Sequence, residues 1–185
     1  MKGLGAAPQK NWMFMIALAF FLCFVAHVLQ AVLGWGLTLL GFAPFLGVCL
    51  MRVRLRSCLW LAAGAGFLVD LFSEDPIGLH ALNYVVVSGI LVRFRKRFSF
   101  EEPLHLGIYT VAISFVSTIL QLILLFLFDR RVPIHGKWAL IDLFCMPLVD
   151  GVYGLIWIAG PLWMVQRMRY RWMIYCLKNK NLSQS

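Results

Sequence analysis

An all-α integral membrane protein, a compact bundle of about six transmembrane helices, is the fold class the sequence predicts. Three observations carry that expectation. Of the 185 residues, 62% are hydrophobic and only 14% charged, against about 45–50% and about 25% in soluble domains. The apolar residues come in runs long enough to cross a hydrocarbon core of ~30 Å. Lysine and arginine cluster at the ends of those runs, with a strong bias to one side. A chain so composed leaves no room for a separate soluble domain, so residues 1–166 are expected to form one multi-pass membrane domain. Residues 167–185 are expected to form a basic cytoplasmic tail.

The first run, "WMFMIALAFFLCFVAHVLQAVL" (12–33), exceeds the 7–15 apolar residues of a signal peptide. No small-x-small cleavage site follows it, so it is expected to be a retained span. Gly34 and Gly36 suit a tight turn into the second segment (35–51), which is short, interrupted by Gly41 and Pro44, and closed by Arg52, Arg54 and Arg56; two readings stand for it, a kinked crossing or a partial penetration. The third run (58–72) and the fourth (79–92) flank "SEDPIG". Both are shorter than a full crossing, which places part of that stretch at membrane depth or in a polar cavity. "RFRKRFSFEEP" is a basic connector whose Glu101, Glu102 and Pro103 suit the start of a helix. The fifth run (104–128) is the longest unbroken one. The sixth extends from about Trp138 to Val165, before the basic tail.

Six crossings from a cytoplasmic N-terminus put 14 of the 17 Lys and Arg residues inside and leave only Arg130, Arg131 and Lys137 outside. That is the positive-inside pattern. It predicts cytoplasmic termini and an outward-facing "SEDPIG", and it argues that the second segment crosses, because otherwise the later sides invert. The net charge of +9 thus reads as topology and contact with anionic lipids, not as a nucleic-acid surface. The five cysteines have no metal-ligand or redox spacing, and no cofactor or metal is expected. There is no H-E-x-x-H motif, no glycine-framed serine paired with a histidine, and no dense acidic cluster, so no enzyme is predicted.

The polar residues inside the apolar runs are the candidates for function. An Asp at the centre of a membrane helix costs about 2.5–3.5 kcal/mol on insertion scales. Asp70 near the end of the third run therefore needs a reason to be there. Two readings stand: a contact with a partner helix or ligand, or a cap for the helix starting near Gly78. Gly66 and Gly64, one turn or so earlier, would admit another helix closely. Pro76 and Gly78 have the chemistry of a turn. His80 and Asn83, three apart on the fourth run, suit either a pocket wall or interhelical hydrogen bonds. In the fifth run, Ser114, Ser117, Thr118 and Gln121 form one polar stripe that should face inward. In the sixth, Asp142 and Asp150 lie about 80° apart around the helix. Asp150-Gly151 within apolar neighbours implies a buried polar contact. His27 and Gln30 are spaced alike in the first run.

"GFLVDLFSEDPIGLHAL" (66–82), a glycine-bearing span ending in Asp, a short polar loop, and Gly-x-His-Ala-Leu opening the next span, resembles the rod shape-determining protein MreD family. More weakly, "DGVYGLIWIAGPLWMVQRMRYRW" is similar to that family's last helix. The resemblance implies a non-enzymatic subunit of the bacterial cell-wall elongation machinery in the inner membrane. The partners it implies are an MreC-type scaffold, an MreB-type actin-like filament, and the membrane glycosyltransferase and transpeptidase of lateral wall synthesis. It also implies a helical fold similar to the substrate-binding subunits of energy-coupling-factor vitamin transporters. Such a transporter subunit is the rival expectation, with an outward cavity built from residues such as Asp70, Asn83, Gln121 and Asp150.

Overall fold

In a computed structural model, the structure describes residues 10–33, 40–73, 76–97, 103–127 and 141–182. These form α1 (Lys10–Leu33), α2 (Ala43–Arg52), α3 (Leu55–Phe72), α4 (Leu79–Leu91) with a 3₁₀ continuation (Val92–Arg97), and α5 (Pro103–Leu127). A last helical run follows: a π-helical turn (Ile141–Cys145), α6 (Met146–Tyr153), a second π-helical turn (Gly154–Ala159) and α7 (Gly160–Leu182). The expected turn at Gly34 and Gly36, the acids Glu74, Asp75, Glu101 and Glu102, and the 128–140 connection lie outside the described residues.

Prolines set several of the boundaries. Pro103 opens α5, and Pro44 and Pro147 sit in the first turns of α2 and α6, where a missing N–H leaves no bond unmade. Pro44 therefore starts the second helix instead of breaking it. Both π-helical turns run into a proline, Pro147 or Pro161. Proline denies the helix one i→i−4 bond and crowds the preceding turn, and a widened turn there accommodates it.

Four helices are long and apolar enough to cross a membrane: Trp12–Leu33, Leu55–Phe72, Pro103–Leu127 and Leu143–Met168. With them the protein has the make-up of a multi-pass membrane protein. Large apolar side chains such as Trp60, Phe67, Leu71, Ile123, Phe126 and Ile156 point outward, as a lipid-facing surface requires.

The second segment is the one whose crossing the sequence leaves open. Its helix covers ten residues, about 15 Å at 1.5 Å per residue, which is half of a bilayer core. Residues Ala43 to Met51 are all buried. α2 is thus the axis of the fold, packed against α1, α3, α5 and the last helical run. Phe42 and Phe45 meet Phe20 of α1 at 5.7 and 5.4 Å between ring centroids. A helix enclosed by other helices has no lipid-facing stripe, which explains why it is apolar all round from Ala43 to Met51.

The two ends of the bundle differ. At one end Arg95 donates to the Val53 carbonyl (2.8 Å) and Tyr109 to the Leu91 carbonyl (2.8 Å). At the other, α3 turns into α4, and Gln121 of α5 approaches His80. The helix α7 runs unbroken through residues 166 and 167, so the tail beginning at Arg167 is at first a continuation of the last span.

Candidate functional site

Asp70 is 2% exposed, and its carboxylate is fully occupied within the chain. Oδ1 accepts from the backbone N–H of His80 (2.9 Å) and lies 2.9 Å from His80 Nδ1. Oδ2 accepts from the N–H groups of Gly78 (2.9 Å) and Ala81 (3.3 Å). These N–H groups belong to the first turn of α4, which has no intrahelical partner for them. Gly78, the N-cap, adopts φ 96°, a left-handed conformation that favours glycine. Having no side chain, Gly78 cannot cap, and the preceding helix supplies the carboxylate instead. The turn is closed by the Leu79 N–H donating to the Pro76 carbonyl (3.1 Å). Of the two readings of Asp70, these bonds describe the cap.

Gly66 makes the junction possible. A Cβ added there would lie 2.5 Å from Ala81 Cα and 2.6 Å from the His80 carbonyl oxygen. α3 and α4 therefore touch backbone to backbone. Gly64 is different: a Cβ there would meet nothing within 4 Å. Only Gly66 of the pair serves close approach.

The stripe on α5 points inward, as its spacing predicts, and ties three helices together. Asn83 of α4 donates to Ser117 Oγ (2.9 Å) and to its carbonyl (3.2 Å). Ser114 donates to Asp150 Oδ2 of α6, while Asp150 Oδ1 accepts from the Leu40 N–H (3.1 Å). Asp150 thereby holds the chain as it enters α2, a role that no local pattern around Leu40 signals. Thr118 bonds back to the Ser114 carbonyl (3.0 Å). Gly151 packs against Val111 and the Gly107 carbonyl, which allows α6 to approach α5. The side chain of Asp142 lies outside the described residues.

A cavity of about 250 Å³ opens beside the junction, walled by His27, Gln30, Phe72, His80, Tyr84 and Gln121. Leu40 and Gly41 also border it. It gathers His27 and Gln30 from α1, His80 from α4 and Gln121 from α5. It does not include Asp70, Asn83 or Asp150, which the transporter expectation placed in such a pocket; their side chains are engaged between helices. Tyr84, apolar-looking in an apolar run, escaped the sequence reading, as did Phe72 and Ser73. His80 Nε2 lies 3.5 Å from Gln121 Nε2, and the His80 and Tyr84 rings meet edge to face at 6.5 Å. Both ring nitrogens of His27 are buried without a hydrogen-bond partner among the described residues.

No family model, curated protein or solved structure matches the chain. Among the described residues, no group of three His, Cys, Asp or Glu side chains could hold a metal ion. Cys23, Cys49 and Cys58 are buried free thiols and pack as small apolar groups.

Proposed function

We propose that this protein is a non-enzymatic membrane subunit of the bacterial cell-wall elongation machinery, of the MreD type, supporting rod shape by binding scaffold and synthase partners. It crosses the cytoplasmic membrane six times, the second and fourth apolar segments of the sequence completing the set, and both termini are cytoplasmic. One observation carries the reading: the residues of the resemblance, Gly66, Asp70, Pro76, Gly78 and His80, form a single physical unit. Gly66 seats α4 on α3, Asp70 caps α4, and the Leu79 N–H closes on the Pro76 carbonyl. An outward junction held by these bonds is a suitable platform for the membrane helix of an MreC-type scaffold, since surface already ordered by internal bonds loses little entropy on binding. The basic inner segments would meet anionic lipid and an MreB-type filament.

The test is native mass spectrometry of the full chain, gently extracted from its own membrane. Complexes at the masses of the scaffold or of the wall glycosyltransferase and transpeptidase are expected. A chain that never travels with any of them, from cells in which they are abundant, overturns the proposal. The cavity favours a second reading, the substrate-binding subunit of a small-molecule transporter. That reading predicts a complex with energising transporter subunits instead.

A further inference from the structure

We infer that the α3–α4 side of the bundle is a contact surface for thinned bilayer: the lipid beside it forms an apolar layer several ångströms shallower than the lipid beside α1 and α5. This rests on the membrane placement proposed above and on none of the partners.

Helix registers set the heights. At the inner end, Tyr109 of α5 donates to the Leu91 carbonyl of α4, which puts those residues close to one level. From there α4 rises twelve residues to its start at Leu79 and α5 eighteen to its end at Leu127, about 18 Å against about 27 Å. The outer end gives the same offset independently. Gln121 approaches His80 to 3.5 Å, and α4 has one more residue above His80 whereas α5 has six above Gln121. α1 matches α5. The His27 ring meets that of Phe72 at 6.0 Å, where α3 stops, and α1 continues for six residues to Leu33. Two helices thus rise about 9 Å past the level at which the other two turn back.

Chemistry keeps a flat bilayer from fitting both levels. The high ends are apolar: Ile123, Phe126 and Leu127 on α5 and Leu29, Val32 and Leu33 on α1 are exposed, and such side chains gain from leaving water. The low turn is polar. Ser73 follows α3, Glu74 and Asp75 come next in the sequence, and the Asp70 carboxylate holds the N–H groups at the start of α4. Charged residues at membrane depth are costly. At the inner end the same pair is bounded by Arg54 and Arg56 on one helix and Arg93 on the other, all exposed. α3 therefore offers 18 helical residues and α4 13, about 27 and 20 Å, against 22 and 25, about 33 and 37 Å, for α1 and α5. A hydrocarbon core is ~30 Å thick. A helix pair shorter than the core draws the bilayer thinner around itself. Gly66 keeps the pair from adjusting separately, because α3 and α4 touch there backbone to backbone.

Nitroxide labels read depth by comparing collisions with oxygen, which concentrates in hydrocarbon, and with a nickel chelate confined to water. Three exposed positions serve: Ile77→Cys in the turn, Phe126→Cys on α5, and Gly64→Cys midway along α3, where a side chain meets open space. Each is made in the full chain lacking Cys145 and Cys176, with the buried Cys23, Cys49 and Cys58 left in place, and reconstituted in dioleoyl phosphatidylcholine. The Ile77 label is expected to meet the chelate, relative to oxygen, at least as often as the Phe126 label, although it sits lower on the molecule. Gly64 should be several-fold more oxygen-favoured than either. Longer erucoyl chains should bury Phe126 further and leave Ile77 accessible. An Ile77 label deeper than Phe126 overturns the inference, since the bilayer is then flat and the turn submerged. So does a Phe126 label fully in water, with α5 standing clear of a flat bilayer. A Gly64 label in water overturns the membrane placement as well.

Discussion

At the scale of single residues, Asp70 shows how a costly side chain becomes a structural necessity. A carboxylate has acceptor capacity for several donors, and this one meets three backbone N–H groups and an imidazole. Asparagine offers one oxygen and would turn its NH₂ toward N–H groups that need an acceptor. Asp70→Asn and Asp70→Ala are therefore both expected to destabilise the protein by about 2–4 kcal/mol, more than an ordinary exposed cap at about 1 kcal/mol. Thermal unfolding in detergent checks this; a loss within about 0.5 kcal/mol for Asp70→Asn would show that the carboxylate's second oxygen is dispensable. The position of Asp70 was legible in the sequence as an anomaly within an apolar run. Its partners were not, because three of them are main-chain groups that carry no residue identity.

At the scale of elements, helix pairs inside a membrane gain little from burying apolar surface, since lipid is equally apolar, and rely on close packing and interhelical hydrogen bonds. α3 and α4 use the first device at Gly66, and α4, α5 and α6 use the second through Asn83, Ser117, Ser114 and Asp150. Gly66→Ala must push Ala81 away, backbone against Cβ, and is expected to cost about 1–3 kcal/mol or more. Gly64→Ala, with open space around it, should change stability by less than about 0.5 kcal/mol. Comparing the two melting temperatures separates close approach from a general intolerance of α3 to substitution; equal losses would refute the assignment. Glycine content alone pointed to both residues, and their two positions around the helix decide between them. The α5 stripe, by contrast, was readable in advance, because four polar residues at i, i+3, i+4 and i+7 can share only one face.

At the scale of the whole molecule, the arrangement places one fully buried short helix among longer ones. Asp150 reaches from α6 to the Leu40 N–H at the entry to that helix, so the two ends of the sequence are coupled through the core. The proposed six-crossing topology, with 14 basic residues on one side and three on the other, predicts that the Val53–Arg95 end faces the cytoplasm and the cavity faces outward. A fluorescent-protein fusion at the C-terminus should therefore glow, whereas an alkaline-phosphatase fusion there should be inactive. Ser73→Cys, in a background without the five native cysteines, should react with a membrane-impermeant maleimide added to intact cells with a permeable outer layer. The opposite pattern would invert the topology and place the cavity on the cytoplasmic side.

Hydropathy and helical period were enough to determine that this chain is helical with the make-up of a membrane protein, to place six apolar segments, of which four hold helices long enough to cross a membrane, and to mark Asp70, His80, Gln121 and Asp150 as residues needing partners. Those are local properties: burial in lipid demands apolar runs with internally satisfied backbone, and a polar residue in such a run stands out by itself. Only the tertiary structure decided that the second segment is a half-length helix at the centre, that Asp70 serves the start of α4, and that His27, Gln30, His80 and Gln121 surround one cavity. These depend on which helices lie side by side, and that follows from the close fit of Gly66 to the next helix and of Gly107 and Gly151 to each other's helices about forty residues apart, which no local pattern encodes.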